Sequence, residues 1–261
     1  MNELTRRLQR EAERIAAKQQ LPEFYARFKS QYALARKLYF THPTVVRLRE
    51  CVRPFLSEDL GHGLFHSSRV SIDGATLIHV ELDSSPMDRS GVERLMLLGL
   101  LAGLLHDICR SVKNHAEAGA LEAARILAGF PLSEEEAQWV CQAIGNHEAF
   151  IAPSPCRRPG GQLISDCLYD ADKFRWGPDT FTHTLWHMVN HQGMTPQELI
   201  AKFPWGIAGI LRILDTFRTS TGRQYGPEII ETGVFIGKEI YRYLLAHFGE
   251  TNHVQEHSHG Q

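Results

Sequence analysis

The sequence lacks the features that would take it out of the soluble globular classes. It has five cysteines, Cys51, Cys109, Cys141, Cys156 and Cys167, an odd number with wide spacing and no C-x-x-C. That pattern suits reduced thiols in a cytoplasm better than a disulfide framework. The longest apolar run, Leu95 to Leu105, falls far short of the roughly 20 residues that cross a bilayer. The N-terminal stretch "MNELTRRLQREAERIAAKQQ" is charged throughout and has no signal-peptide core. Charge of either sign is not in excess: 28 Lys and Arg stand against 30 Asp and Glu, a net charge of −2. Bulk electrostatics therefore give no strong nucleic-acid signal. The expectation is a soluble, cytoplasmic protein without a membrane partner, its oligomeric state open and a homo-oligomer admissible.

Abundant, by contrast, are helical periodicity and histidine, of which there are fourteen. Residues 3–20 and 22–39 read as amphipathic helices split by Pro22. Nine Lys and Arg against four Glu in residues 1–40 give them a basic face, best read as a solvated one. Helices are expected over 43–57, with Pro54 as a kink or end, and over 63–82, where "ATLIHVEL" could pass for a strand. Residues 89–109 form the most apolar segment. "SEEE" at 133–136 and "TPQE" at 195–198 are helix start signals, opening helices to about 147 and about 218. A last helix covers 227–248, and the tail from 251 to 261 reads as disordered. The long break "IAPSPCRRPGGQ" (151–162) is either a linker or, as favoured, a cap over a site between helices. The fold class is all-α: a single helical-bundle domain over 58–250 with an N-terminal helical extension over 1–57.

The histidines that matter fall with carboxylates on separate elements: His66, the His106–Asp107 pair, His115, His147 and Asp172. A lone histidine is most often a surface group or a satisfied core imidazole, but this set argues otherwise. His106–Asp107 closes a run with no polar residue, so the helix end lies in or beside the core. An unpaired carboxylate there is expensive, and a metal ion or a basic partner resolves the cost. Imidazole and carboxylate without thiolate favour Mn, Fe, Co, Ni or Zn, and ligands from distant helices leave open positions, as catalytic sites require.

The order H…HD…H…H…D, with "HSSRV", "LLAGLLHDI", "HAEAGALEAARIL" and "DADKF" around it, resembles the HD-domain superfamily of metal-dependent phosphohydrolases over roughly residues 61–177. The resemblance implies that His66, His106, Asp107 and Asp172 hold one divalent metal. His115 and His147 would hold a second in binuclear members, with Asp107 bridging. It implies hydrolysis of a small phosphate ester, a nucleotide or related molecule, by metal-activated hydroxide. Two departures stand out: Arg110 replaces the lysine frequent three residues after the HD aspartate, and "DADKFRWGPD" replaces the relatives' "DADRLDALG". The same ligand set also serves di-iron oxygenases, and a non-catalytic nucleotide-sensing protein could keep the fold.

Beside the ligands, Asp107, Arg110, Lys113, Glu148 and His62 are the catalytic candidates. Arg110 and Lys113 would face phosphoryl oxygens, together with Arg69, Lys173 and Arg175. Glu148 or His62 would protonate the leaving group, with a helix cap as the alternative reading of His62. Arg157 and Arg158 could close over an anionic substrate. His183, His187 and His191 step by four along one helix face, read as a surface or pocket wall rather than a metal site. Asp170 reads as a supporting or surface residue, Cys109 as an inert thiol, and His253, His257 and His259 as incidental.

Overall fold

The computed structural model describes residues 1–56, 61 and 63–249. In chain order its helices are α1 (Glu3–Ala16), α2 (Glu23–Arg27), α3 (Lys29–Thr41), α4 (Pro43–Val52), α5 (Leu64–Glu81), α6 (Arg89–Leu105), α7 (His115–Leu127), α8 (Glu134–Gly145), α9 (Pro159–Phe174), α10 (Leu185–Gln192), α11 (Pro196–Leu211) and α12 (Ser220–Phe248). The described residues also include a 3-10 turn at Arg53–Phe55 and a π turn at Thr180–Thr184. Among the described residues there is no strand, so the fold class is all-α, and "ATLIHVEL" is helical.

The apolar run is the spine. Every residue from Leu95 to Leu105 is buried, so α6 is covered on all sides, as a helix without a polar stripe must be. Its most extensive partner is α5, and two glycines let the pair approach closely. A Cβ on Gly103 would collide with the Ser71 backbone, and one on Gly99 with the Ile78 side chain. The antiparallel α5–α6 hairpin therefore brings the start of α5 beside the end of α6. Helix α9 packs on α5 and α8, and α7 on α8, so the end of α9 arrives at the same place.

The N-terminal helices join this core. Helix α1 lies on α12, α10 and the π turn, α3 on α5, and α4 on α6. Phe24 is fully buried with its ring 5.1 Å from that of Phe174.

Several boundaries differ from expectation for local reasons. The helix expected over 22–39 breaks at Phe28, whose φ of −102° and ψ of 35° leave the helical region. The helix expected to reach 218 stops at Leu211, and α12 begins at Ser220 rather than 227. There Thr219 acts as N-cap, its hydroxyl accepting from the Gly222 N–H at 2.8 Å. Pro227 then lies inside α12 instead of opening it. Both sequence start signals at 133 and 195 are complete capping boxes. No helix among the described residues is long and apolar enough to cross a membrane. The tail expected to be disordered lies outside the described residues.

Candidate metal centre

Four ligand candidates meet at the end of the bundle. His66 sits on the first turn of α5, His106 and Asp107 in the turn that follows α6, and Asp172 on the last turn of α9; all four are buried. His66 Nε2 is 3.1 Å from His106 Nε2. It is 3.7 Å from Asp107 Oδ2 and 3.3 Å from Asp172 Oδ1. His106 Nε2 is 3.4 Å from Asp107 Oδ2 and 3.8 Å from Asp172 Oδ1. Bonds of about 2.0–2.2 Å from an ion to such atoms put neighbouring ligands roughly 2.8–3.6 Å apart in octahedral or tetrahedral geometry. His66, His106 and Asp107 form a group that could hold a divalent ion, with Asp172 Oδ1 close to both imidazoles.

The neighbours fix these side chains in ligating form. The Gly103 carbonyl can only accept, so His106 Nδ1, 2.8 Å away, carries the proton and Nε2 keeps its lone pair for the cluster. His147 Nδ1 meets the Ile144 carbonyl at 2.6 Å in the same manner. Lys173 Nζ donates to Asp172 Oδ2 at 2.5 Å and to the His147 carbonyl at 2.9 Å, tying α9 to the end of α8. Burial alone would raise the Asp172 pKa, but Lys173 and the two imidazoles hold it well below the carboxylate range. Burial alone would lower that of His106, yet Asp107, Asp172 and the Gly103 carbonyl raise it.

A second group lies on the other oxygen of Asp107. His147 Nε2 is 3.6 Å and His115 Nε2 3.9 Å from Asp107 Oδ1. Asn114, in the left-handed region at φ 58°, turns the chain into α7 so that His115 faces inward. Here, however, Arg110 Nη1 donates to His115 Nε2 at 2.7 Å and lies 3.9 Å from Asp107 Oδ1. Burial, then the charge of Arg110 and of His147, lowers the His115 pKa. The guanidinium thus engages the lone pair that a second ion would need.

The other candidates divide sharply. Glu148 and Arg110 line a cavity of about 650 Å3 whose floor is formed by His66, Asp107, His115, His147 and Asp172. Lys113 is exposed and does not line it, because the turn after α6 carries it outward. Arg175 reaches the cavity wall but is committed: its Nη1 donates to Asp179 Oδ2 at 2.5 Å and its Nη2 to the Tyr25 hydroxyl at 2.6 Å and to Asp73. Arg69 pairs with Asp179 at 3.0 Å. Neither is a clamp waiting for phosphate. Arg158 pairs with Glu135 at 3.3 Å, and Arg157 is exposed away from the cavity. The break before α9 does not cap the site. Pro159 opens α9, and the Ser154 carbonyl instead accepts from Asn146 Nδ2 at 2.8 Å. Asp170 is fully buried, accepting from the Arg218 and Thr219 backbone N–H groups at 2.8 Å each and from the Thr219 hydroxyl at 2.7 Å. It holds the entry to α12, not the cluster. The rings of His183 and His187 are 4.4 Å apart, but with His191 they form no group that could hold a metal among the described residues. His62 lies outside the described residues.

Sequence reasoning missed the cavity's far wall, built by the π turn, α10 and α11, with Lys202 and Arg212 among its cations. The signal was present in "FPWGIAGIL", a helix too apolar for its exposure, but a single stretch does not say what it covers.

No protein-family model matches the sequence, and no curated protein does. Among solved structures, the chain is similar to one described as a predicted HD superfamily hydrolase from an uncultured Thermotogales bacterium. The two are 20% identical, with a TM-score of 0.49 over 81% of this chain and 97% of that one.

Proposed function

We propose that this protein is a metal-dependent phosphohydrolase, with His66, His106, Asp107 and Asp172 holding a divalent ion. The observation that carries the reading is the set of five separations, from 3.1 to 3.8 Å, among those four buried side chains. The order of the ligands along the sequence supports it. When bound, the ion would supply Lewis-acid polarisation of a phosphoryl oxygen and acidify a water, whose pKa falls from about 15.7 towards 7 on such ions.

The chain's own residues then have separable tasks. Lys173 neutralises and orients Asp172, and the Gly103 and Ile144 carbonyls fix the tautomers of His106 and His147. Arg110, 40% exposed at the cavity edge, offers a guanidinium to the phosphoryl oxygens. Glu148 lines the same cavity, which supports giving it the proton for the leaving oxygen. One ion is the resting complement in this reading, since a second requires Arg110 to release His115.

The test is elemental analysis of untagged protein beside a phosphoester screen, repeated on Asp107→Ala. Metal should fall from stoichiometric to background and turnover with it. Unchanged metal content and unchanged hydrolysis in the variant would overturn the assignment. Oxygen uptake by iron-loaded protein, with no phosphoester cleaved, would move it to the oxygenase chemistry.

A further inference from the structure

Resting on the phosphohydrolase reading, the cavity also points to what carries the phosphate. Besides the cluster residues and the cations, the cavity is lined by Phe181, Leu185, Met188, Phe203, Ile207 and Ile210, with Thr180 and Thr184 among them. Apolar walls alone are common in ligand pockets of roughly 300–1,000 Å3. What sets this one apart is that the apolar surface continues out of it. Trp205 lines the cavity and is 82% exposed; Phe150 lines it and is 49% exposed, with Ile151 beside it in sequence at 56%.

Helix α11 explains the continuity. Taken over its whole length it is more apolar than α6, whose first turns carry charge, yet only Leu199, Phe203 and Ile210 on it are buried. A helix with that composition normally lies in a core. Here it packs on α12 and walls the cavity, yet still leaves Trp205 and Leu211 exposed, and exposed apolar area beside a cavity marks a binding surface. Lys202 and Arg212, both lining the cavity, flank the apolar stretch, and the Arg212 guanidinium lies 4.3 Å over the Phe150 ring.

A nucleoside would bring a ribose and a base edge with many donors and acceptors, and a wall on which apolar side chains outnumber Thr180, Thr184 and Lys202 would leave several of them unpaired. A hydrocarbon chain loses nothing there. We infer that the substrate is an amphiphilic phosphate ester, a phosphate on a chain of lipid character, with the phosphate at the His/Asp cluster and the chain along α10 and α11 towards Trp205.

The experiment is a chain-length series on the metal-loaded protein, from ethyl to decyl phosphate, kept below micelle formation, with nucleoside monophosphates run beside it. The expected result is kcat/KM rising by about fourfold per methylene over the first several carbons, as full burial of a methylene implies. Ile207→Asn, which puts an amide into the wall, should flatten that slope. A flat or falling series in the wild type, or a nucleotide cleaved faster than the decyl ester, overturns the inference and leaves the hydrolase reading standing. Cleavage of no ester at all overturns the hydrolase reading instead. In that event binding of non-hydrolysable alkylphosphonates, followed by tryptophan fluorescence, still decides this proposal: affinity that climbs with chain length upholds it, and affinity indifferent to length sinks it.

Discussion

Two buried polar clusters lie within this fold, and they are closed in opposite ways. Around Arg175, the guanidinium meets Asp73, Asp179 and the Tyr25 hydroxyl, Tyr25 donates to Asp73 at 2.8 Å, and Arg69 adds a second cation on Asp179 at 3.0 Å. Two carboxylates face two guanidiniums, and burial is offset within the chain. Burial by itself would lower the Arg175 pKa, but its carboxylate partners hold it well above the ordinary value. Around His106, two carboxylates and two imidazoles face one buried ammonium, that of Lys173. Arg110, 40% exposed and 3.9 Å from Asp107, screens rather than neutralises. The first cluster balances its charges within the chain; the second has the His/Asp composition of a group that could hold an ion. Burial of charge alone therefore does not mark a functional centre. The balance of donors and acceptors does.

The comparison breaks most visibly at Arg175. Arg175→Met leaves Asp73 and Asp179 buried without their shared partner, which should cost about 3–5 kcal/mol in urea unfolding, with or without metal. Replacing Asp73 by Leu in the same chain should recover much of it, because a buried pair exchanged for apolar groups is often neutral. A single variant as stable as wild type would show that this network is not closed by charge.

Metal sharpens the other side. At free ion about a hundredfold above its Kd, the wild type should gain about 2.7 kcal/mol over the chelated protein. Asp172→Asn should lose most of that gain while Arg175→Met, where it folds, keeps it. Equal gains in wild type and Asp172→Asn would mean that the ion binds elsewhere.

Much of this was legible from residue order, and the reasons are physical. The His106–Asp107 pair at the end of an all-apolar run is costly unless something accepts it, and that inference needs no coordinates. The capping boxes at Ser133 and Thr195 are local, so they read correctly. What could not be read is set by long-range partners. Arg175 and Arg69 look like free cations near a motif until Asp73, Asp179 and Tyr25 arrive from other elements. Asp170 looks incidental until Arg218 and Thr219 fold back onto it. Lys113 and Arg110 differ by three positions, and only the turn after α6 decides which one faces the cavity.

Asp170 is a third case between the two clusters, a buried carboxylate held by neutral donors. Burial raises its pKa to about 6, against the hydrogen bonds of Thr219 and Arg218. Because the unfolded value is about 3.9, the folded chain holds this proton more tightly. The contribution to stability is therefore fully present below about pH 4 and is lost as pH rises through about 6. Measured with chelator in both proteins, so that the metal ligands cancel, the stability of wild type relative to Asp170→Asn should fall by on the order of 2 kcal/mol across that window. A difference that stays level, or that grows with pH, would show instead that the backbone donors outweigh desolvation and that neutral closure suffices for a carboxylate.

The smallest effect belongs to Lys113, and its smallness is informative. Its charge is the same as that of Arg110 and lies three residues away, yet it is exposed and outside the cavity, while Arg110 donates to His115 at 2.7 Å. Lys113→Ala should change stability by no more than about 0.5 kcal/mol, as for an exposed side chain free of special features. Metal content and kcat/KM on any accepted phosphoester should stay at wild-type values, whereas Arg110→Ala should raise KM and free His115. A Lys113→Ala protein with impaired turnover but normal metal would place that ammonium over the substrate, and the turn after α6 would then have to move on binding to bring it there.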